Sequence, residues 1–202
     1  MATFMKRATI YKIFSNIPQL ETERLILRKM LVLDTDDMYS YAHRADVTRY
    51  LTWNPHPNKN YTREYLEYIS TRYVSGEFYD WAIIEKKSRH MIGTCGFTRF
   101  DFHSNGAEVG YVLNPQYWGQ GYAPEALRAV MDFGFDEIGL VRIEAKYMEG
   151  NTASRRVMEK VGMTYEGMFR SAMLVRSEYK NICVCSILSE EYKNMCEKTA
   201  YL

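Results

Sequence analysis

The chain has 202 residues, 47% of them apolar and 25% charged, with a net charge of +1. That length accommodates one ordinary core without disulfides or metal, and the near-zero charge removes the electrostatic case for nucleic acid or an anionic membrane as partner. No stretch approaches the roughly 18 consecutive apolar residues of a membrane span. The cysteines, Cys95, Cys183, Cys185 and Cys196, form no C-x-x-C pair, which suits free thiols in a reducing cytoplasm.

Residues 1–19 read as an N-terminal extension. Met1 to Asn16 holds Lys6, Arg7 and Lys12 but no sustained apolar run, so it has the form of neither a signal peptide nor an anchor, and a cytoplasmic location is expected. Arg24 to Met30 is short and β-leaning, hence a strand. Asp34 follows as an N-cap for a helix through Tyr41, with Asp36 and Asp37 at its positive end. Pro55, Pro57 and the asparagines between Thr52 and Asn60 mark a loop. A second helix opens at Thr62, carries Tyr65, Leu66, Ile69 and Tyr73 near one face, and closes at Gly76. Three strand-like runs come next, Phe78 to Glu85, Met91 to Phe100 and Ala107 to Leu113, joined by polar turns as in an antiparallel meander.

The order then changes: a helix from Tyr122 to Phe133, a strand from Val141 to Met148, a helix from Thr152 to Lys160, and strands at Tyr165–Phe169 and Ile182–Leu188. A strand on each side of a helix implies a β-α-β crossover with some parallel pairing. The expected fold is mixed α/β (α+β), a largely antiparallel central sheet flanked by helices, in one domain over 20–189. Residues 190–202 read as a C-terminal tail with a short polar helix.

Chemistry concentrates in Glu108-Val-Gly-Tyr-Val-Leu-Asn-Pro-Gln116-Tyr-Trp-Gly119-Gln-Gly121-Tyr-Ala-Pro124. A strand runs into a glycine-bearing loop and then into a helix whose first turn tolerates Pro124. Glycines there can turn backbone N–H groups around an anion at the positive end of the helix, which makes a phosphate cradle. A Walker loop requires Lys after its last glycine, and Tyr122 stands there. A dinucleotide fingerprint requires Gly or Ala where the chain has Pro124. A nucleotide-binding module is therefore disfavoured.

Gln116-x-x-Gly119-x-Gly121 resembles the Gln/Arg-x-x-Gly-x-Gly/Ala signature of the GNAT acetyltransferases. Asn151-Thr-Ala-Ser154 with Glu159-Lys-Val-Gly162-Met163 is similar to the family's cofactor-side helix, and Leu20-Glu-Thr-Glu-Arg-Leu-Ile-Leu-Arg28 and Tyr165-Glu-Gly-Met-Phe-Arg170 resemble its RimJ/RimL-like branch. The resemblance implies acetyl-CoA as co-substrate, without metal. Its pyrophosphate would rest on the amides of Gly119, Gln120, Gly121, Tyr122 and Ala123, close to Gln116. Its pantetheine arm would pair with main-chain groups of Tyr111 and Leu113, with the amide of Asn151 reaching it from the other side. A main-chain N–H near Val112 or Leu113 would hold the developing oxyanion.

The acceptor amine must lose a proton before it attacks the thioester, so a base is expected, directly or through water. Glu108 is the first candidate, against the alternative of a solvated strand-edge carboxylate. It lies roughly 16 Å along the strand from Leu113, which favours a water chain. Ser154 could protonate the departing thiolate or bond the sulfur, or serve only as a helix-start hydroxyl. Tyr179 is a further candidate acid. Tyr50, Trp53 and Trp81 could line an acceptor pocket, with core packing the competing account of Trp81. The four histidines have no metal spacing and read as surface residues. The sequence departs from the family at Met158, where many members have a Tyr acid, and at Met173, where the ribosomal-protein branch can have Glu. The expected activity is direct transfer of acetyl to a primary amine (a protein N-terminus, a polyamine, an aminoglycoside or an amino-acid derivative) by a monomer or homodimer. A catalytically impaired CoA-binding sensor is the alternative.

Overall fold

The computed structural model describes residues 6–200, the last two by backbone alone. Its elements are α1 (Arg7–Ser15), β1 (Leu20–Glu21), β2 (Leu25–Arg28), α2 (Thr35–Ala42), α3 (Ala45–Thr48), α4 (Lys59–Val74), β3 (Asp80–Glu85), β4 (Met91–Asp101), β5 (Gly106–Leu113), α5 (Tyr122–Asp132), β6 (Arg142–Met148), α6 (Thr152–Lys160), β7 (Thr164–Val175), β8 (Glu178–Leu188) and α7 (Ser189–Ala200). The strands form one sheet in the order β1-β2-β3-β4-β5-β6-β8-β7, with β5–β6 the parallel pair and the others antiparallel. The mixed fold with a largely antiparallel sheet is as the sequence implies.

Period-2 alternation sorts side chains between two cores. Trp81, Ile83, Cys95, Phe97, Val109, Ile143 and Ala145 face a layer built from α1, α5, α6 and α7. Ala82, Ile84 and Met91 face α2 and α4 through Met38, Tyr41, Leu66, Ile69 and Tyr73. Beyond β4 that second face carries no helix of this cluster, and it presents charged side chains instead.

Several boundaries differ from expectation for local reasons. The strand expected from Arg24 to Met30 is only Leu25–Arg28, preceded by the short β1. Asp34 does not cap α2 with its side chain. Its carboxylate accepts from Leu31 N at 2.8 Å and pairs with Arg28 at 2.7 Å. Helix α4 begins at Lys59 because Asn58, within the expected loop, accepts from Tyr61 N. The β7–β8 hairpin is much longer than the two apolar runs that suggested it. Its polar middle is held by pairing from Met173↔Lys180 to Val175↔Glu178, and it turns at Arg176–Ser177, both with positive φ.

The segment read as an extension contributes α1, whose Ile10 and Phe14 are fully buried in the larger core. The segment read as a tail contributes α7, whose Tyr192 packs on Phe135 and donates to Asp132 at 2.7 Å. Trp81 is also corrected. It is 0% exposed, packs on Phe14, Phe97 and Phe133, and donates its indole N–H to the Pro18 carbonyl. No surface remains on it for an acceptor. His56 is likewise buried rather than on the surface, and its Nδ1 lies 2.8 Å from Thr62 Oγ1. Among the described residues, no helix is long and apolar enough to cross a membrane.

Candidate active site

Strands β5 and β6 pair in parallel from Gly106↔Arg142 to Val109↔Ala145, and there the ladder stops. Strand β5 continues to Leu113 and β6 to Met148, so the two diverge into a cleft. On its other side β5 stays paired with β4 up to Leu113↔Gly93, and the Asn114 N–H donates to the Ile92 carbonyl. Main-chain groups alternate between the two sides of an antiparallel strand. With Asn114 facing β4, Val112 and Gly110 face it too. The N–H and C=O of Tyr111 and Leu113 therefore point into the cleft. This supports the two residues chosen to hold an extended ligand arm and corrects Val112, whose N–H is committed to β4. The Leu113 carbonyl accepts from Trp118 Nε1 at 2.7 Å, so its N–H is the more available group.

The loop after β5 is built for anion contact. Asn114 Oδ1 accepts from Gln116 N and starts a single 3-10 turn, and Gln120 Nε2 closes back on the Gln116 carbonyl. Gly119 and Gly121 then take φ of +75° and +83°, in the left-handed region where a side chain is strained. A Cβ on Gly119 would meet nothing within 4 Å, so the space beside its Cα is open. Tyr122 and Ala123 begin α5 with their backbone N–H groups at its positive end, although their side chains are buried and Tyr122 Oη donates to Glu85.

Arg24 fixes this loop from outside. It donates to the Gln120 carbonyl at 3.0 Å, pairs with Glu125 at 2.6 Å, and lies over the Tyr122 ring at 4.3 Å. Burial pushes the Glu125 carboxyl up, but bonds from Thr22 and Arg24 bring it below its usual value. A groove beside Gly121 is lined by Arg24, Arg128 and Lys160 together with Glu23 and Glu125, the last paired with Arg24, which leaves a small cationic excess where phosphates would lie. The residues present fit acetyl-CoA.

At the other wall of the cleft, Tyr111 Oη lies 2.9 Å from both the Ser154 carbonyl and Ser154 Oγ, joining β5 to α6. Burial pushes the Tyr111 hydroxyl well above the usual phenol range. Asn151 Oδ1 caps α6 by accepting from Ser154 N at 3.2 Å, which leaves its Nδ2 as the atom able to reach a ligand. Met158 is buried and Met173 packs against the cluster of Met148, Val175 and Ile182, so both positions serve packing.

The acceptor-side candidates separate. Tyr50 sits at the mouth of the cleft, packed with Met148, Val175 and Ile182, its hydroxyl 3.5 Å from where a Cβ on Gly150 would stand. Trp53 lies in the proline-bearing loop, and its carbonyl and that of Thr48, at the end of α3, hold Arg176 of the β7–β8 turn: Arg176 Nη2 donates to each at 2.8 Å. Tyr179 is 70% exposed on β8, opposite Leu174, and among the described residues no contact ties it to the cleft. Glu108 lies on the opposite face of β5 from Tyr111. It accepts from Lys146 at 2.6 Å, within a charged row that includes Arg99, Glu144 and Arg142. Despite burial, pairing with Glu108 and Glu144 raises the Lys146 pKa. Glu108 is one residue below the point where β5 and β6 diverge, not remote from the cleft as distance along the strand suggested. The hydroxyl of Tyr111, the clamp of Arg24 and the tie of Arg176 were not found by sequence reasoning, because their partners are dozens of positions away.

The comparisons agree with this geometry. Residues 24–164 match the family described as an acetyltransferase (GNAT) domain. The chain is 34% identical over 173 residues to a Bacillus licheniformis protein named as an uncharacterized N-acetyltransferase p20, covering 86% of this chain and 97% of that one. It is 23% identical over 189 residues to the [ribosomal protein uS5]-alanine N-acetyltransferase of Escherichia coli K12, covering 88% and 95%. Among solved structures, an acetyltransferase (GNAT family) from Bacillus anthracis superposes with a TM-score of 0.76 at 30% identity, over 86% of this chain and 99% of that one.

Proposed function

The chain belongs to the GNAT acetyltransferase family and is an N-acetyltransferase, and from that premise we propose that it moves the acetyl group of acetyl-CoA straight to a primary amine, on a protein N-terminus or a small molecule. The observation that carries this reading is the divergence of β5 from β6 directly beside a glycine cradle at the start of α5. Acetyl-CoA supplies a thioester already reactive towards a positioned free amine, so no covalent enzyme intermediate is required. The amides of Gly119 to Ala123 hold its phosphates, helped by the cationic flank at Arg24, Arg128 and Lys160. The cleft-facing main chain of Tyr111 and Leu113 orients its arm, with Asn151 Nδ2 opposite, and a cleft-facing N–H of β5 stabilises the oxyanion. The paired hydroxyls of Tyr111 and Ser154 supply the proton for the leaving sulfur. Tyr50 and Trp53 frame the mouth through which the acceptor arrives. Support for a protein N-terminus comes from the E. coli relative, named for acting on a ribosomal-protein alanine.

Calorimetric titration with acetyl-CoA, followed by thiol release with peptides bearing free N-termini, spermidine and amino-acid amides, tests the reading. Saturable binding and amine-dependent thiol release are expected. No acetyl-CoA binding by folded protein overturns it, and binding without release for any amine is what an impaired sensor predicts.

A further inference from the structure

Strand β6 alternates between the two sides of the sheet. Ala145 and Tyr147 belong to the larger core, so Glu144, Lys146 and Met148 point to the opposite side. Met148 packs there with Val175 and Ile182, beside Tyr50, which puts the mouth of the cleft on that side as well. The last rung joining β5 to β6 is Val109↔Ala145, and Lys146 is the first residue of β6 beyond it. Lys146 therefore stands between the mouth and the closed end of the cleft. The phosphate cradle follows Leu113, so an arm leaving it runs back along β5, past Leu113 and then Tyr111. At Tyr111 the arm's free end is two residues, about 7 Å, from the closing rung. The flexible four-carbon stem of a lysine suits that gap.

The Lys146 nitrogen is tethered. Glu108 Oε2, on β5, lies 2.6 Å from Nζ, and Glu144 Oε1, on β6, lies 3.1 Å from it. Arg99 reaches in from β4, 4.0 Å from Glu108 and 3.7 Å from Glu144, and Arg142 stands 3.7 Å from Glu144. On β8 the residue opposite Lys146 is Val184, which carries no charge. The Lys146 side chain keeps 28% of its surface open, so the nitrogen is held but not sealed in. Burial lowers its pKa, yet the bonds and charges of Glu108 and Glu144 outweigh burial and raise it. The two carboxylates keep the proton on and the lone pair out of use.

We propose that Lys146 is an internal acceptor: with acetyl-CoA bound and no outside amine in the mouth, the protein acetylates its own Lys146 side chain, a reaction that Glu108 and Glu144 hold back. This rests on the acetyltransfer reading and adds a modification site to it. The Lys146 ammonium gives one proton to Glu108 and so to solvent. The freed lone pair forms the C–N bond to the acetyl carbon as the C–S bond breaks. A second proton leaves nitrogen for the departing sulfur, so the products are the Lys146 acetyl amide and free thiol. Few lysines are neutral at pH 7, but a neighbour well oriented at the thioester acts at an effective concentration of about 10⁵ M or more, which outweighs that shortage. Acetylation cancels the ammonium and sets an acetyl group at the head of the cleft. The modified chain is an idling form that turns over outside amines more slowly.

The test incubates wild type, Lys146→Arg and Glu144→Gln with acetyl-CoA and no amine, followed by digestion and mass spectrometry. Wild-type Lys146 should gain acetyl at least about tenfold faster than Lys59, whose side chain is 61% exposed. The rate should not depend on protein concentration, and it should rise about tenfold per pH unit while the lysine stays mostly protonated. Glu144→Gln, which removes one counter-charge, should speed the reaction about threefold or more. Lys146→Arg should lose the modification and keep its acetyl-CoA affinity by calorimetry. Footprinting with acetic anhydride needs no transfer by the protein: coenzyme A without acetyl should protect Lys146 and leave Lys59 unprotected. Acetyl on Lys146 no faster than on Lys59, in both wild type and Glu144→Gln, overturns the proposal. So does an anhydride footprint at Lys146 that coenzyme A leaves unchanged. Failure of wild type to bind acetyl-CoA would instead remove the acetyltransfer reading.

Discussion

The contact between Tyr111 Oη and Ser154 Oγ joins the two walls of the cleft through a single pair of hydroxyls. A hydroxyl held at 2.9 Å from another can pass a proton without moving a heavy atom, and burial of the phenol keeps that proton on until a strong base forms beside it. Tyr111→Phe should lower kcat by about 10²-fold while leaving acetyl-CoA affinity within about twofold. An unchanged kcat, measured beside a small fall in melting temperature, would make the pair a strut between β5 and α6. Asn151 has separable duties because its Oδ1 is spent on the cap. Asn151→Ala should cost about 0.5–2 kcal/mol of stability through the cap and a further 1–3 kcal/mol, roughly, of acetyl-CoA binding through Nδ2. Denaturant melts and calorimetry on the same protein distinguish the two.

The glycine loop is where local sequence determines an element most completely. Strand, turn, glycines and amphipathic helix were all legible, because each depends on residues close in the chain: Asn114 for the turn, positive φ at Gly119 and Gly121, and an apolar stripe along α5. Gly121→Val should weaken acetyl-CoA binding by at least tenfold, since φ of +83° strains a β-branched residue and its side chain would crowd Arg24 Nη2, 3.4 Å from the added Cβ. Calorimetry against wild type, with circular dichroism as the check on folding, decides it. The β7–β8 hairpin was only half legible. Its tip is polar, and its register is set by cross-strand hydrogen bonds and by two positive-φ residues at the turn, Arg176 and Ser177, neither of them a glycine.

At the scale of the molecule, α1 fills the centre of the larger core. The Phe14 ring sits 4.9 Å from Tyr79, 5.5 Å from Trp81 and 5.8 Å from Phe100, and it is fully buried. Phe14→Ala should cost about 3–5 kcal/mol of stability, read by denaturant unfolding, with acetyl-CoA affinity retained below the melting transition. An undetectable loss would mean that the helix rides on a core complete without it. Nothing in the local sequence signals this role: α1 carries only two buried residues, too few for a clear apolar stripe, and its partners lie more than sixty positions away.

Arg176 has a consequence for traffic. One guanidinium, carried on the hairpin turn, holds Thr48 at the end of α3 and Trp53 and Asn54 of the loop opposite, so the hairpin and the loop are tied into one frame around the mouth. Opening this mouth costs every bond to that one side chain. A slender acceptor would pass with the frame in place, whereas a bulky one would wait for lid-like opening, on the microsecond scale or slower. Selection among amines would then act on arrival, before any group inside the cleft has touched them.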